Sequence, residues 1–156
     1  MKTLYLEDLA PGQTFGTGRL RMEKERIKNF AAEFDPQPFH LDEEAARESI
    51  FGGLAASGWH TAALTMRLLV DSGLKPAGGL IGLGFDELRW PRATRPGDEL
   101  RVESEVLEVR TSKSRPDQGL VKLKMTTLNQ NGEPVQVSVG NLIVRRRVPQ
   151  PQRRGP

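Results

Sequence analysis

The chain contains no cysteine, few aromatic residues and no long hydrophobic run. The absence of cysteine among 156 residues excludes disulfides, thiolate metal sites and a thiol nucleophile. No stretch approaches the roughly 20 apolar residues that are needed to span a bilayer. Residues 1–9 also lack the apolar centre of a secretory signal peptide. We therefore expect a soluble, cytoplasmic protein.

The positive charge is concentrated at one end of the chain. The net charge is +3, yet residues 145–156 carry five arginines and no acidic residue. The rest of the chain is therefore slightly acidic, which excludes a basic nucleic-acid-binding surface by composition. We expect one domain over residues 1–147, followed by a disordered basic tail over residues 148–156.

Two helices are predicted from apolar residues at helical spacing. Apolar side chains recur at i, i+3, i+4 and i+7 in the first segment and predict an amphipathic helix over residues 23–33. The second pattern, over residues 58–72, is apolar on nearly all sides. We expect that second helix to be buried.

Strand patterns dominate the remaining chain. One strand is predicted before the first helix, over residues 14–22, and four long ones after the second, where polar and apolar residues alternate. These four strands cover residues 80–90, 99–110, 120–129 and 134–146. Asn131-Gly132 is typical of a hairpin turn. The order of elements favours an α+β hot-dog fold, in which an antiparallel sheet wraps around the central apolar helix.

A carboxylate lies five residues before one of the two histidines in the chain, within Phe34 to His40. Pro36 and Pro38 predict a stiff loop between Asp35 and His40, which leaves the pair little rotational freedom to lose. Histidine exchanges protons near neutral pH and a neighbouring carboxylate can hold water, so the pair suits acid–base catalysis. A structural explanation is also open, because Asp35 can cap the helix end and His40 can simply pack.

A second candidate lies where the central helix begins, at Ser57-Gly58-Trp59-His60. Backbone N–H groups in a first helical turn lack intrahelical acceptors, so the Gly58 N–H can stabilise a negative oxygen. Glycine here can equally serve tight packing of the helix on the sheet. Ser57 fits a helix cap better than a nucleophile, and His60 is expected to pack. Neither a metal nor a cofactor is expected, since ligand spacing and phosphate loops are absent.

Three segments together resemble a known family. Residues 34–42, FDPQPFHLD, are similar to the hydratase motif D-x-N-P-x-H-x-D of MaoC-like dehydratases and (R)-specific enoyl-CoA hydratases. Residues 51–64, FGGLAASGWHTAAL, resemble the family's F-G-x-x-x-x-H-G segment. Residues 87–100, ELRWPRATRPGDEL, resemble its strand–turn–strand region. The resemblance extends to about Arg147.

The resemblance implies a hydro-lyase that adds water to, or removes it from, the 2,3 bond of an acyl-CoA thioester. Asp35 and His40 would activate one water, and the N–H of Gly58 would hold the thioester oxygen. The implied substrate-binding residues are Gln37, Pro38, Ser57 and Trp59. No cofactor is implied beyond the CoA of the substrate. The implied partner is a second copy of the chain, in a homodimer or larger homo-oligomer, and neither nucleic acid nor membrane.

Two positions depart from the family pattern. Gln37 replaces an asparagine, and Ser57 replaces the histidine before the oxyanion glycine. The second change leaves the N–H of Gly58 available. Trp59 is expected to narrow the acyl channel, which favours a short or compact acyl group.

Two other functions remain open. A hot-dog thioesterase typically carries its carboxylate on the central helix, which here offers only Asp71 near its far end. A non-catalytic acyl-CoA-binding subunit would keep the groove but lose part of the pair, whereas Asp35 and His40 are both present. The lyase is therefore the favoured prediction.

Overall fold

The computed structural model describes residues 2–147; the predicted tail over residues 148–156 lies outside this range. Its helices are α1 (Lys24–Phe34), α2 (Pro38–Leu41), α3 (Glu43–Arg47) and α4 (Gly58–Val70), with a short 3-10 helix at Leu6–Asp8. Its strands are β1 (Thr14–Gly16), β2 (Leu20–Arg21), β3 (Ile81–Arg89), β4 (Glu99–Thr111), β5 (Gln118–Leu128) and β6 (Pro134–Arg145). None of these helices combines the length and apolar character that a bilayer span requires.

The strands form one antiparallel sheet in the order β1-β4-β5-β6-β3, with β2 also paired to β4. The β5–β6 hairpin turns at Asn131-Gly132, as the sequence predicts. Gly132 adopts a φ of 73°, which glycine reaches without a steric penalty, and its N–H donates to the Asn129 carbonyl at 3.0 Å. Strand β3 pairs only with β6 among the described residues, so it forms an edge of the sheet.

Helix α4 packs across one face of this sheet and closes the core. Alternate residues of β4 face inward, and Leu100, Val102 and Val106 are almost completely buried. Two hydroxyl pairs also fix the helix: Thr65 Oγ1 lies 2.6 Å from Thr127 Oγ1 on β5, and Thr61 Oγ1 donates to Thr94 Oγ1 at 3.0 Å. Threonine pairs suit a buried helix–sheet contact because each hydroxyl both donates and accepts. The fold therefore holds the beginning of α4 in a fixed position.

The prediction of a single strand over residues 14–22 is wrong, because β1 and β2 are separate strands. Between them Thr17 turns its side chain toward β4, and its Oγ1 accepts from the Val102 N–H at 2.9 Å. The Thr17 hydroxyl also donates to the Gly18 carbonyl at 2.8 Å. The threonine side chain thus replaces a backbone partner of β4 and interrupts the strand.

Two further predictions need correction. His40 lies in the one-turn helix α2 rather than in a stiff loop, because Pro38 occupies the first helical position, where its missing N–H costs nothing. Helix α4 is also not buried on all sides, since the side chains of Trp59, Met66 and Val70 are largely exposed. One apolar face of α4 therefore remains open in the single chain.

Gly119 on β5 is closely packed against Arg110 and Leu6. A β carbon at this position would lie 2.4 Å from the Arg110 carbonyl oxygen and 2.4 Å from Leu6 Cδ2. Gly119→Ala should therefore lower the free energy of unfolding by about 1–3 kcal/mol, measured by urea denaturation. Gly16→Ala is the matched control, because no atom lies within 4 Å of its added β carbon. Equal midpoints for the two variants would contradict this packing.

Candidate active site

Asp35 closes helix α1 and points its carboxylate away from the helix. Its backbone N–H donates to the Ala31 carbonyl at 2.8 Å, and Pro36 prevents a further helical turn. Oδ1 accepts from the side-chain amide of Gln37. The Asp35 side chain retains 17% of its exposure, so water can reach it.

His40 is buried, and both of its ring nitrogens face oxygen atoms. Nδ1 lies 2.6 Å from the carbonyl oxygen of Ala55. Because a carbonyl only accepts, Nδ1 carries a proton. Nε2 lies 3.2 Å from Asp35 Oδ2. The ring also packs edge-on against Phe39, with centroids 4.6 Å apart. The histidine thus packs as an ordinary core residue and still faces the carboxylate.

The surroundings keep Asp35 ionised. Burial, the largest influence, would raise the pKa of this carboxyl, but it is outweighed by hydrogen bonds from Gln37 and Ser57 and by the nearby His40. The pKa of Asp35 therefore lies below its usual value. A negative carboxylate beside an imidazole is an arrangement that can accept a proton and relay it.

Helix α4 begins beside this pair. Ser57 is fully buried and caps the helix, since its Oγ accepts from the Trp59 N–H at 3.3 Å. The same hydroxyl interacts with the Asp35 carboxylate, which brings the helix start to the pair. Among residues 2–147, the Gly58 N–H has no hydrogen-bond acceptor. A free N–H at a helix N-terminus attracts negative charge.

His40 and Gly58 line the same cavity, which has a volume of about 220 Å³. Its other walls come from α4, from the segment before β4 and from β6, through Thr61, Trp90, Thr94 and Val135. The structure thus brings together Asp35, His40, Ser57 and Gly58, which the sequence placed in two separate motifs. Gln37 contacts the carboxylate and Pro38 begins α2, so these two shape the pair.

Trp59 follows Gly58 in the chain but does not line the cavity of His40 and Gly58. Its side chain is 59% exposed and lines a second cavity between α4 and the sheet. Trp90, which the sequence analysis did not single out, covers Gly58 instead. A β carbon at Gly58 would lie 2.6 Å from Cε2 of the Trp90 ring. Trp90 lies within the third family-like segment, but no local pattern indicates that its ring reaches α4.

Arg95 also lay outside the sequence-based candidates. Its guanidinium donates to three backbone carbonyls, those of Phe51, Gly53 (2.9 Å) and Leu54 (3.3 Å). These residues directly precede Ala55, whose carbonyl holds His40. Arg95 therefore fixes the segment that orients the imidazole. Arginine suits this role because its planar group presents several donors in fixed directions.

His60 does not join the pair. It is buried and stacks on Phe30 of α1, with ring centroids 4.6 Å apart, and its Nδ1 has no hydrogen-bond partner within residues 2–147. Burial, together with the positive charge of Arg26, lowers the pKa of His60. A neutral, packed histidine agrees with the expectation for this residue. The described part of the chain contains no cluster of three metal-binding side chains.

Comparison with known proteins decides the family. Residues 8–129 match the family described as the MaoC like domain. The chain belongs to the MaoC-like dehydratase family. This confirms the predicted resemblance and, with the structural relatives below, the predicted hot-dog fold. Members of this family are dehydratases and hydratases, which is the class of enzyme that the sequence predicts.

Three relatives illustrate the similarity within the MaoC-like family. The crystal structure of a MaoC-like dehydratase from Rhodospirillum rubrum is 63% identical, with a TM-score of 0.90, over 93% of this chain and 99% of the other. The R-hydratase PhaJ1 from Pseudomonas aeruginosa is 27% identical, with a TM-score of 0.73, over 93% and 88% of the two chains. The uncharacterized protein YdeM of Bacillus subtilis is 33% identical over 90% of this chain and 97% of its own length.

The role of Arg95 can be tested without an activity assay. The Nδ1 proton of His40 is buried and hydrogen-bonded, so it should exchange slowly with water and give a resolved proton NMR signal. In Arg95→Gln the segment before Ala55 loosens, and we expect this signal to broaden or disappear. His60→Phe assigns the signal, because the chain has two histidines.

Arg101→Gln is the matched control for this experiment. Arg101 pairs with Glu103 on the exposed side of β4, away from His40. The control should keep the His40 signal. An unchanged signal in Arg95→Gln would show that the arginine does not position the imidazole.

Proposed function

We propose that this MaoC-like protein reversibly adds water to a trans-2-enoyl-CoA and forms a 3-hydroxyacyl-CoA. The observation that carries this proposal is the 3.2 Å contact between Asp35 Oδ2 and His40 Nε2, beside the free N–H of Gly58. Water addition needs a base, an acid and a group that stabilises the thioester oxygen. These three residues supply one of each.

Asp35 acts on the water. Its lowered pKa keeps the carboxylate ionised, so it can hold a water molecule and accept its proton. The water oxygen then bonds to carbon 3 of the substrate while the carbon–carbon double bond opens. Gln37 and Ser57 hold the carboxylate in place through hydrogen bonds, which limits the reorganisation needed during reaction.

His40 supplies the second proton. With the Nδ1 proton committed to the Ala55 carbonyl, the ring transfers a second proton, carried on Nε2 in its imidazolium form, to carbon 2 of the substrate and becomes a neutral imidazole. The proton that Asp35 took from water then passes back to Nε2 across the 3.2 Å contact. The pair therefore returns to its starting state, and the net change is one water added.

Gly58 stabilises the charge that develops between these two steps. As the water oxygen attacks carbon 3, negative charge moves to the thioester oxygen. The free N–H at the start of α4, which has 13 residues, can donate to that oxygen with support from the helix dipole. In acyl-transfer enzymes, the loss of one oxyanion-hole donor lowers kcat by about 10²–10³-fold.

The thioesterase alternative has no structural support at this site. Asp71 follows α4 at its C-terminal end, where it forms an ion pair with Arg67 at 2.7 Å. Gly58 lies at the other end of the 13-residue helix, about 20 Å away. The non-catalytic alternative differs from the lyase only in turnover, so activity decides between them.

Substitution of the pair should abolish most of the activity. We expect Asp35→Asn and His40→Ala each to reduce kcat for hydration of trans-2-butenoyl-CoA by about 10²–10⁴-fold. Loss of the enoyl absorbance measures hydration, and release of free CoA measures thioester hydrolysis in the same sample. Asp71→Asn is the matched control and should hydrate at the wild-type rate.

Each other outcome identifies a different function. Release of CoA without loss of the double bond would replace the lyase by a thioesterase. Tight binding of acyl-CoA without turnover by the wild type would indicate a non-catalytic subunit. Near-wild-type hydration by Asp35→Asn would remove this carboxylate from the mechanism.

We also propose that two copies of the chain join along β3. This edge strand has nine residues, and Ile81, Leu83 and Phe85 on it are exposed. Trp59 and Met66, on the exposed apolar face of α4, belong to the same part of the surface. Together with Leu83 and Phe85 they line one cavity. A second strand adds readily to a long, apolar, unpaired edge strand. In a dimer with a two-fold axis, β3 of one subunit would pair with β3 of the other.

Leu83→Arg tests this dimer. An arginine at position 83 of β3 would place two like charges in the proposed interface, so we expect a monomer by sedimentation velocity. Leu107→Arg is the matched control, because Leu107 is exposed on β4, away from the proposed interface. A wild-type protein that sediments as a monomer would contradict the proposal directly.

A further inference from the structure

Two separate cavities lie close to helix α4. The smaller, of about 220 Å³, contains His40 and Gly58. The larger, of about 430 Å³, lies between α4 and the sheet and is mostly apolar. Ligand pockets in proteins usually have volumes of about 300–1,000 Å³, so only the larger cavity reaches this range.

Trp90 lines the smaller cavity and contacts two residues of the larger one. Its ring covers the α carbon of Gly58 and lines the smaller cavity. Its Nε1 donates to Gln136 Oε1 at 2.9 Å, and Gln136 is a buried residue that lines the larger cavity. Trp59, another residue of the larger cavity, packs edge-on against Trp90 with centroids 5.3 Å apart. The indole is thus fixed on both sides.

The inner wall of the larger cavity suits a hydrocarbon chain. Leu123 and Met125 on β5 supply buried apolar surface there. The two buried hydroxyls of this wall already have partners: Thr65 bonds to Thr127, and Ser138 donates to the Met125 carbonyl at 3.5 Å. An alkyl chain would therefore leave no hydroxyl there without a hydrogen bond.

We propose that Trp90 is a specificity-determining residue that limits the substrate to short acyl groups. The inference rests on the proposed function, in which the Gly58 N–H holds the thioester oxygen. The acyl group then begins next to the indole, and its first carbons occupy the smaller cavity. Further carbons meet the ring of Trp90, which separates them from the apolar space beyond. The limit on chain length thus belongs to Trp90 rather than to Trp59.

Removal of the indole should open a path from the smaller cavity to the larger one and admit longer chains. We would compare kcat/KM for trans-2-butenoyl-CoA and trans-2-octenoyl-CoA in the wild type, Trp90→Ala and Trp90→Leu. The wild type should prefer the four-carbon substrate. Both variants should shift the ratio at least tenfold toward the eight-carbon substrate, because one methylene in a pocket changes kcat/KM by about 10–200-fold.

Trp90→Phe is the matched control. Phenylalanine keeps a smaller aromatic ring near Gly58 and loses the bond to Gln136, so it should keep more of the short-chain preference than the two aliphatic variants. A wild type that uses both substrates equally, or a preference unchanged in Trp90→Ala and Trp90→Leu, overturns this inference while leaving the lyase intact. Failure of the wild type to hydrate either substrate overturns the proposed function and this inference with it.

A binding measurement covers the case in which the smaller variants fold poorly. The chain has two tryptophans, so Trp59→Phe leaves Trp90 as the one indole emitter. Butyryl-CoA should change the Trp90 emission spectrum, and free CoA at the same concentration should change it much less. Equal effects of the two ligands would show that the acyl group does not contact Trp90, and would overturn the inference.

Discussion

The hydrogen bond from His40 Nδ1 to the Ala55 carbonyl is the contact on which the site depends. Nδ1 lies 2.6 Å from the carbonyl oxygen, which fixes the orientation of the imidazole so that Nε2 faces Asp35. Both ends of this bond are held from outside. Pro38 starts the helical turn that carries His40, and Arg95 ties down the segment before Ala55. The geometry of the pair therefore depends on one close neighbour in sequence, Pro38, and on one distant residue, Arg95.

The same hydrogen bonds offset the free energy that is needed to remove the Asp35 carboxylate from water. A buried ion pair is stable only when its remaining polar atoms find partners. Gln37 and Ser57 supply these to Asp35, and the Ala55 carbonyl supplies one to His40. The departures from the family pattern at Gln37 and Ser57 thus fall on residues that solvate the carboxylate. Its lowered pKa follows from these bonds, which favour the ionised form that the proposed base function needs.

Local periodicity predicted helices α1 and α4, the four long strands and the hot-dog arrangement, because each depends on neighbours in sequence. The Asp35–His40 pair was predictable for the same reason. Trp90 and Arg95 were not, since their partners lie on other elements: the Trp90 ring covers Gly58 of α4, and Arg95 binds carbonyls more than 40 residues earlier. The exposed face of α4 was not predicted either, because a helix that is apolar on nearly all sides does not show which of its faces meets the sheet.

Gly58 shows why activity and selectivity are linked here. Its free N–H faces the proposed oxyanion, while its missing side chain makes room for the Trp90 ring 2.6 Å from where a β carbon would lie. Any larger residue at this position would push the indole away as well as disturb the helix start. Substitution of Gly58 would therefore change both the proposed oxyanion contact and the proposed chain-length selectivity, so it cannot test one without the other. Only changes on the opposite side of the contact, at Trp90, leave the N–H in place while they alter the space beside it.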